Sequence, residues 1–285
     1  MKIEKNIIIN GAGGKAIVLD IFYKEKGEAK PVIIYAHGFN GFKDWANFDL
    51  IAQQFAEAGF VFIKFNFSHN GTSPQHPEEF VDLEAYAENN YTKELFDLQQ
   101  VINWTSNVQN EHAKEIDLNA LGLIGHSKGG GIVLLKAAEE VKVAAVATWA
   151  SVSECKTPWS LWNEEKINEW QRTGIQYTLN SRTKQQMPLH YQLYEDYHQN
   201  SERLNIINAI SILEIPVLIC HGTKDEAVPV TKAHQLHEAK PDAELFLVES
   251  DHVFGRKHPW VDCHLPEPMQ AITDKTISFF KNYLA

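Results

Sequence analysis

Ala120-Leu121-Gly122-Leu123-Ile124-Gly125-His126-Ser127-Lys128-Gly129-Gly130-Gly131 is the stretch on which the reading of this chain turns. The apolar run to Ile124 has the composition of a buried parallel strand. Gly130 to Ala138 then reads as a helix packed through small residues. Between them lies a G-x-S-x-G pentapeptide, Gly125 to Gly129. A serine pinned between strand and helix sits on a sharp turn, with its hydroxyl raised above the sheet. The flanking glycines fit that turn, because a side chain at either place would collide with the neighbouring strand or helix. An ordinary strand-to-helix turn can show the same five residues, so the reading needs partners elsewhere.

A nucleophilic serine needs a base, and the base needs an orienting carboxylate. In a strand–serine–helix architecture they follow in the order Ser, Asp or Glu, His, each on a loop after a later strand. Ile215 to Gly222 is a second apolar run, and it leads into the polar loop Thr223-Lys224-Asp225-Glu226-Ala227-Val228-Pro229. Asp225 therefore falls just past the carboxyl end of a buried strand, where open α/β sheets carry their chemistry. Glu244 to Val248 is strand-like again, and Glu249-Ser250-Asp251-His252 follows it. Asp251 and Glu226 are weaker candidates for the acid. Asp251 is adjacent in sequence to His252 and cannot easily turn its carboxylate onto the far ring nitrogen, and position favours Asp225 over both. His258 and His264 lie further from any strand than His252.

Four motifs together resemble the α/β-hydrolase superfamily over nearly the whole length. They are His37-Gly38-Phe39-Asn40-Gly41 after the strand Val32 to Ala36, the Gly125–Gly129 elbow, the loop from His221-Gly222 through Asp225 to Val228-Pro229, and the Asp251-His252-Val253-Phe254 turn. Within the superfamily the chain is similar to the dienelactone-hydrolase-like and cinnamoyl or feruloyl esterase-like branches. The resemblance implies Ser127 as nucleophile, His252 as general base and acid, and Asp225 as the orienting carboxylate. It implies an oxyanion hole from the backbone N–H groups of Phe39 and Lys128, with His37 bracing the loop. A backbone donor does not depend on side-chain identity, so lysine at 128 is acceptable, and its side chain is expected to be solvated or paired. His126 is expected to pack or hydrogen-bond rather than act as base.

The expected fold class is α/β, a mostly parallel central sheet with helices on both faces and a helical lid insertion. Helical patterns run over 45–58, 91–105, 128–139, 231–239 and 269–284, and strands lie near Val32, Val61, Leu121, Val143, Val217 and Leu245. Alternation from Ile3 to Phe22 around Gly11-Ala12-Gly13-Gly14 predicts an amino-terminal hairpin. That glycine cluster opens no helix, so a dinucleotide or phosphate loop is rejected. Residues 1–150 and 214–285 form the hydrolase core in this reading, and 151–213 the inserted lid. The insert shows no buried strand but many aromatics, among them Trp159, Trp162, Trp170, Tyr177, Tyr191, Tyr194 and Tyr197. Trp159, Trp162 and Tyr177 are candidate substrate contacts; equally, such aromatics serve to pack the insert or form a homodimer contact. The stretch 68–90 reads as a surface loop at the rim.

Composition bounds the rest. The chain has 285 residues, 44% of them hydrophobic, and a formal net charge of −11. Acidic balance argues against nucleic acid and anionic membranes as partners, and mildly against a strongly anionic substrate unless local cations override it. No apolar run approaches a membrane span, and Met1-Lys2-Ile3-Glu4-Lys5-Asn6 does not read as a signal peptide. Cys155, Cys220 and Cys263 make no disulfide framework, which points to a reducing cytoplasm. Asp262-Cys263-His264 with His258 matches no zinc spacing, so no metal and no cofactor are expected. The expected activity is ester hydrolysis on a small molecule, with aryl (hydroxycinnamoyl-type) or short acyl groups. A peptidase, acyl-peptide hydrolase or thioesterase would use the same residues, and a non-catalytic ligand-binding protein is a rival of another class. Ser127 excludes an aspartate nucleophile.

Overall fold

The computed structural model describes residues 1–107 and 109–284. In chain order the strands and helices are β1 (Lys2–Asn10), β2 (Ala16–Tyr23), β3 (Lys30–Ala36), α1 (Phe48–Glu57), β4 (Val61–Asn66), α2 (Leu83–Ala87), α3 (Tyr91–Thr105), β5 (Ile116–His126), α4 (Lys128–Glu139) and β6 (Val143–Trp149). Then come α5 (Glu164–Thr173), β7 (Ile175–Leu179), β8 (Gln186–His190), α6 (Gln192–Gln199), α7 (Ile206–Ser211), β9 (Val217–Gly222), α8 (Thr231–Ala239), β10 (Glu244–Val248) and α9 (Glu267–Leu284).

Eight strands form one sheet in the order β1-β2-β4-β3-β5-β6-β9-β10. β2 runs antiparallel to both β1 and β4, and every pairing from β4 to β10 is parallel. The parallel strands are mostly apolar because helices cover both faces. One face packs Leu95, Leu98, Val101 and Ile102 of α3 and Ile132 to Leu135 of α4 against Ile34, Leu123 and Val146. The other packs Ile51 and Phe55 of α1 and Ile272, Phe279 and Phe280 of α9 against Ile33, Ile124 and Ala147. The spacing in α3 is that of a helix burying one stripe, and the Asn90 side chain caps its start by accepting from Lys93 N–H.

From β3 the chain passes first to β4 on one side and then to β5 on the other. The crevice at the carboxyl ends of β3 and β5 is therefore a topological switch point, the usual ligand position in such sheets. Ala36 at the end of β3 is paired in register with Gly125 near the end of β5. This pairing sets the His37–Gly41 loop beside the turn carrying Ser127.

Two expectations are corrected. The stretch 68–90 is a surface loop only in part: Gln75, His76, Glu78, Glu79, Val81 and Glu84 are exposed, but Ser68, His69, Asn70, Thr72, Phe80 and Tyr86 are buried, and it includes α2. Its polar look is internal bonding, as Asp97 accepts from both Ser68 N–H (2.8 Å) and Ser68 Oγ (2.7 Å). The insert, in turn, is not purely helical. β7 and β8 form an antiparallel hairpin, and β8 buries Met187, Pro188 and Leu189. Pro188 disguised that strand, and it is tolerated because a two-stranded ribbon leaves one edge of each strand unpaired.

The aromatics of the insert do packing. Trp170 is fully buried, donates to Leu189 O at 2.8 Å, and lies against Trp159, Trp162, Tyr191 and Tyr194. Trp159 meets Tyr91 of α3 edge-on, and Thr92 Oγ1 donates to Asp196 of α6 at 2.6 Å. These contacts clamp the insert to the first turn of α3. Among the described residues no helix is long and apolar enough to cross a membrane.

Candidate active site

Ser127 has φ 57° and ψ −121°, a left-handed conformation that a serine adopts only when its surroundings impose it. The surroundings are backbone. Ser127 N–H donates to Trp149 O at 2.9 Å, and Ser127 O accepts from Gly130 N–H at 3.0 Å. A Cβ at Gly125 would lie 2.2 Å from Gly129 O, and one at Gly129 would lie 2.4 Å from Ala36 O and 2.5 Å from His37 O. The two glycines of the pentapeptide thus allow β3, β5 and α4 to converge under the serine.

His252, on the loop after β10, bonds through Nδ1 to Asp225 Oδ2 at 2.7 Å. Asp225 stands after β9 and is only 7% exposed. Its other oxygen accepts from Ala227 N–H (2.9 Å) and Val228 N–H (2.8 Å), while His221 Nε2 lies 3.3 Å from Oδ2. Burial alone would raise the Asp225 pKa, but the hydrogen bonds from His221, His252 and Val228 outweigh it and hold the carboxyl well below the usual range. Asp225 is therefore ionised. Asp251 spends its Oδ1 on Val253 and Gly255 N–H groups, and Glu226 is exposed.

His126 points elsewhere than the serine. Its Nε2 donates to His252 O at 2.9 Å, and the two rings lie 4.8 Å apart. Burial, then the charge of His252, pushes its pKa well below the ordinary histidine value, so it is neutral. His37 is neutral too, lowered to about 4 chiefly by burial. Its Nδ1–H donates to Gly38 O (2.9 Å) and its Nε2 accepts from Phe67 N–H (3.4 Å), bracing the loop against β4. The Lys128 side chain turns into the interior, donating to Glu94 at 2.9 Å beneath the face of Tyr91. Its backbone N–H opens α4 and has no intrahelical acceptor. His258 accepts from Ala46 N–H at 2.8 Å, and His264 contacts Cys263 on the surface.

Ser127 and His252 line one cavity of about 250 Å³, together with His37, Gly38 and Phe39. Gly38 is close enough that a Cβ there would lie 2.9 Å from Ser127 Cβ. Among the described residues the Ser127 hydroxyl makes no hydrogen bond to the imidazole; such contacts commonly tighten only with substrate bound. The walls are aromatic, with Tyr35, Phe42, Trp45 and Phe48. Trp159, Trp162 and Tyr177 do not line this cavity. The first packs the interior, the second lies on Trp170 under Lys166, and Tyr177 is exposed on β7. The insert instead contributes Leu179, Asn180, Ser181 and Arg182, the turn from β7 towards β8. Arg256, four residues past His252, completes the wall. The alternation Ile175-Gln176-Tyr177-Thr178-Leu179 ending in Asn180-Ser181 was the signal for that hairpin.

The family model for BD-FAE, an esterase-domain family, matches residues 19–239. The chain belongs to the BD-FAE family. The match and the fold place it in the α/β-hydrolase superfamily. Among curated proteins it is 28% identical over 166 residues to an uncharacterised 31.7 kDa protein of the traX-finO intergenic region of Escherichia coli, a match covering 58% of this chain and 51% of that one. It is also 28% identical over 127 residues to the quorum-quenching protein AidA of Acinetobacter baumannii, covering 45% and 36%. The chain thus spans about half or less of the length of these relatives. Among solved structures, Est1E from Butyrivibrio proteoclasticus superposes with a TM-score of 0.67 at 16% identity, covering 98% of each chain. DcsB, in complex with a substrate analogue, gives 0.73 at 15% identity over 99% of each. These likenesses show the fold.

Proposed function

We propose that BD-FAE membership here takes the form of a serine carboxylesterase acting through an acyl-enzyme on aryl or short-acyl esters. The observation that carries this is the His252–Asp225 hydrogen bond at the edge of the cavity that holds Ser127 on its left-handed turn. An ionised Asp225 fixes the proton on His252 Nδ1 and leaves Nε2 as the base. Ser127 Oγ attacks the ester carbonyl carbon while its proton passes to Nε2. The backbone N–H groups of Phe39 and Lys128 hold the oxyanion, each such donor being worth about 3 kcal/mol. The C–O bond to the alcohol breaks as Nε2 returns the proton to that oxygen. Water then attacks the acyl-enzyme, giving its proton to Nε2, and the acid leaves as Ser127 regains its hydrogen.

The aromatic walls suit a flat or short acyl group, and ferulic acid is bound to Est1E in a related structure with a TM-score of 0.68. In this reading residues 151–213 act as the lid, through the turn that borders the cavity. Three free cysteines fit a reducing cytoplasm. The test is Ser127→Ala: ester turnover is lost while the circular dichroism and Tm stay at parent values, and a fluorophosphonate labels only the parent. Full turnover in Ser127→Ala ends the assignment. A p-nitrophenyl ester series run beside thioester and amide analogues ranks the leaving groups; faster amide cleavage would make the chain a peptidase.

A further inference from the structure

His112 stands on the loop between α3 and β5 and is only 2% exposed. Its Nδ1 lies 3.0 Å from the Tyr23 hydroxyl at the end of β2, and its ring packs against Tyr23 and Trp104. Its Nε2 is buried and makes no hydrogen bond among the described residues. A buried ring nitrogen without a partner is costly, and native structures keep few of them. What Nε2 faces is charge: Glu4 Oε2 of β1 at 3.5 Å, with the Glu111 carboxylate beside it. One ligating atom from each of Glu4, Glu111 and His112 lies within 4.8 Å of the other two.

That spacing is the spacing of a metal shell. Two ligands held at about 2.1 Å by one tetrahedral ion stand about 3.4 Å apart. His112 Nε2 and Glu4 Oε2, at 3.5 Å, are already so placed. Glu111 is exposed, so its side chain is free to turn and close the third position. Tyr23 supplies the support that a ligating imidazole needs. With the proton on Nδ1, the ring donates to the hydroxyl oxygen and turns a bare lone pair at Nε2 towards the carboxylates. Among the described residues no lysine or arginine forms a salt bridge with Glu4 or Glu111, which leaves their negative charge for a cation to neutralise. Two other clusters differ. Asp20, Asp44 and Asp49 are all bonded to Lys64, and in Glu84, Glu88 and His190 the imidazole Nδ1 is already bonded to Glu88 at 2.5 Å.

We propose that Glu4, Glu111 and His112 form a binding site for one divalent metal ion of the zinc class, with water completing its shell. An imidazole with two carboxylates suits Zn²⁺ better than Ca²⁺ or Mg²⁺, which take oxygen ligands. β5 begins just beyond this loop and ends at the turn carrying Ser127, so the ion sits at the opposite end of that strand from the candidate active site. Its role is structural. Glu4 belongs to an edge strand whose register slips between Glu4 and Ile7, and the ion ties that strand to the loop after α3. No zinc spacing marks these ligands in the sequence, because Glu4 meets Glu111 and His112 only through the fold. Residues 258–264, on which the expectation of no metal rested, take no part.

The experiment titrates Zn²⁺ alone into the chelator-treated full chain, by calorimetry and by competition with a chromophoric chelator. The parent is expected to bind one tight equivalent with a Kd of about 10 µM or below, not displaced by millimolar Ca²⁺ or Mg²⁺, and to gain Tm on loading. Glu111→Gln, at an exposed position where the fold is not at stake, should weaken that equivalent at least about ten-fold, as should His112→Gln. Tyr23→Phe removes only the supporting hydroxyl and should weaken it about ten-fold. His190→Gln, at the second cluster, should leave it intact. A plain salt bridge between a protonated His112 and Glu4 would need neither Glu111 nor zinc. The proposal is overturned by a parent with no equivalent tighter than about 100 µM, or by one that survives Glu111→Gln unchanged. Loss of the equivalent in His190→Gln, or its displacement by Ca²⁺ or Mg²⁺, overturns it as well. Should His112→Gln fail to fold, Glu111→Gln decides alone.

Discussion

His126 and His252 are joined by a 2.9 Å hydrogen bond that runs from the Nε2–H of one to the backbone carbonyl of the other. The residue preceding Ser127, the proposed nucleophile, thereby holds the loop that carries His252, the proposed base. Because burial keeps His126 uncharged, it does this without placing a second positive ring against an imidazolium at 252. His126→Phe keeps a ring in the space but deletes the donor. It is expected to lower kcat about ten-fold with a smaller change in KM, since the base becomes mispositioned rather than lost. Steady-state kinetics on p-nitrophenyl acetate read this; a kcat within two-fold of the parent would show that the loop holds its shape unaided.

Asp225→Asn preserves shape while giving His252 an amide that can stabilise the wrong tautomer. In triads of this type such a change costs on the order of 10⁴ in kcat. The rate should recover partly at alkaline pH, which a pH–rate profile would reveal. An Asp225→Asn protein as fast as the parent would return the orienting role to Glu226 or Asp251.

Gly129→Ala introduces a methyl that meets the carbonyl oxygens of Ala36 and His37 at 2.4 and 2.5 Å. Neither oxygen can retreat without breaking the β3–β5 pairing. The cost is expected at about 1–3 kcal/mol or more, seen as a lowered Tm, together with loss of activity.

Lys128 and Glu94 form an ion pair in which both partners are buried. Lys128→Met strands the Glu94 carboxylate, and stability should fall by about 3–5 kcal/mol. The double variant Lys128→Met, Glu94→Leu should regain most of that loss. Denaturant unfolding of the four proteins in the cycle measures the coupling directly, and independent additive losses would contradict it.

Acid sensitivity follows from His37. Its pKa is lowered to about 4 in the folded chain, mainly by burial, against about 6.5 when unfolded. Between those values the unfolded chain binds the extra proton, so stability rises with pH across that window. The contribution is complete above about pH 6.5 and is lost as pH falls towards 4, amounting to about 3 kcal/mol. Chemical denaturation at pH 7 and pH 4.5 should show this fall, and His37→Gln should flatten it.

Much of the scaffold was legible because each local signal agreed with the next. The periodicities over 91–105, 128–139 and 231–239 coincide with α3, α4 and α8 to the residue, and at α3 the Asn90 cap and an apolar stripe act together. Ser127, Asp225 and His252 could be singled out as candidates because each lies within four residues of the end of an apolar run. The cavity wall was not legible. Trp159 and Trp162 attract notice by their size, yet size serves packing as readily as binding, and Trp159 is spent on Tyr91 and Trp170. Asn180 and Arg182 are ordinary turn residues in the sequence. They acquire meaning only because β7 and β8 bring their turn to the cavity, a long-range event with no local signature. The buried end of the stretch 68–90 was missed for a related reason: polar residues that bond one another in the interior look solvated when written in one letter.

The register that pairs Ala36 with Gly125 has a consequence for how this protein can diversify. Both amides assigned to the oxyanion descend from neighbouring rungs of one ladder at the centre of the sheet, whereas the turn carrying Asn180 and Arg182 reaches the cavity from a separate two-stranded ribbon. In the proposed reading the reacting groups and this part of the cavity rim therefore lie on different pieces of backbone. A change in the ribbon from 175 to 190 would reshape that rim without touching the β3–β5 ladder.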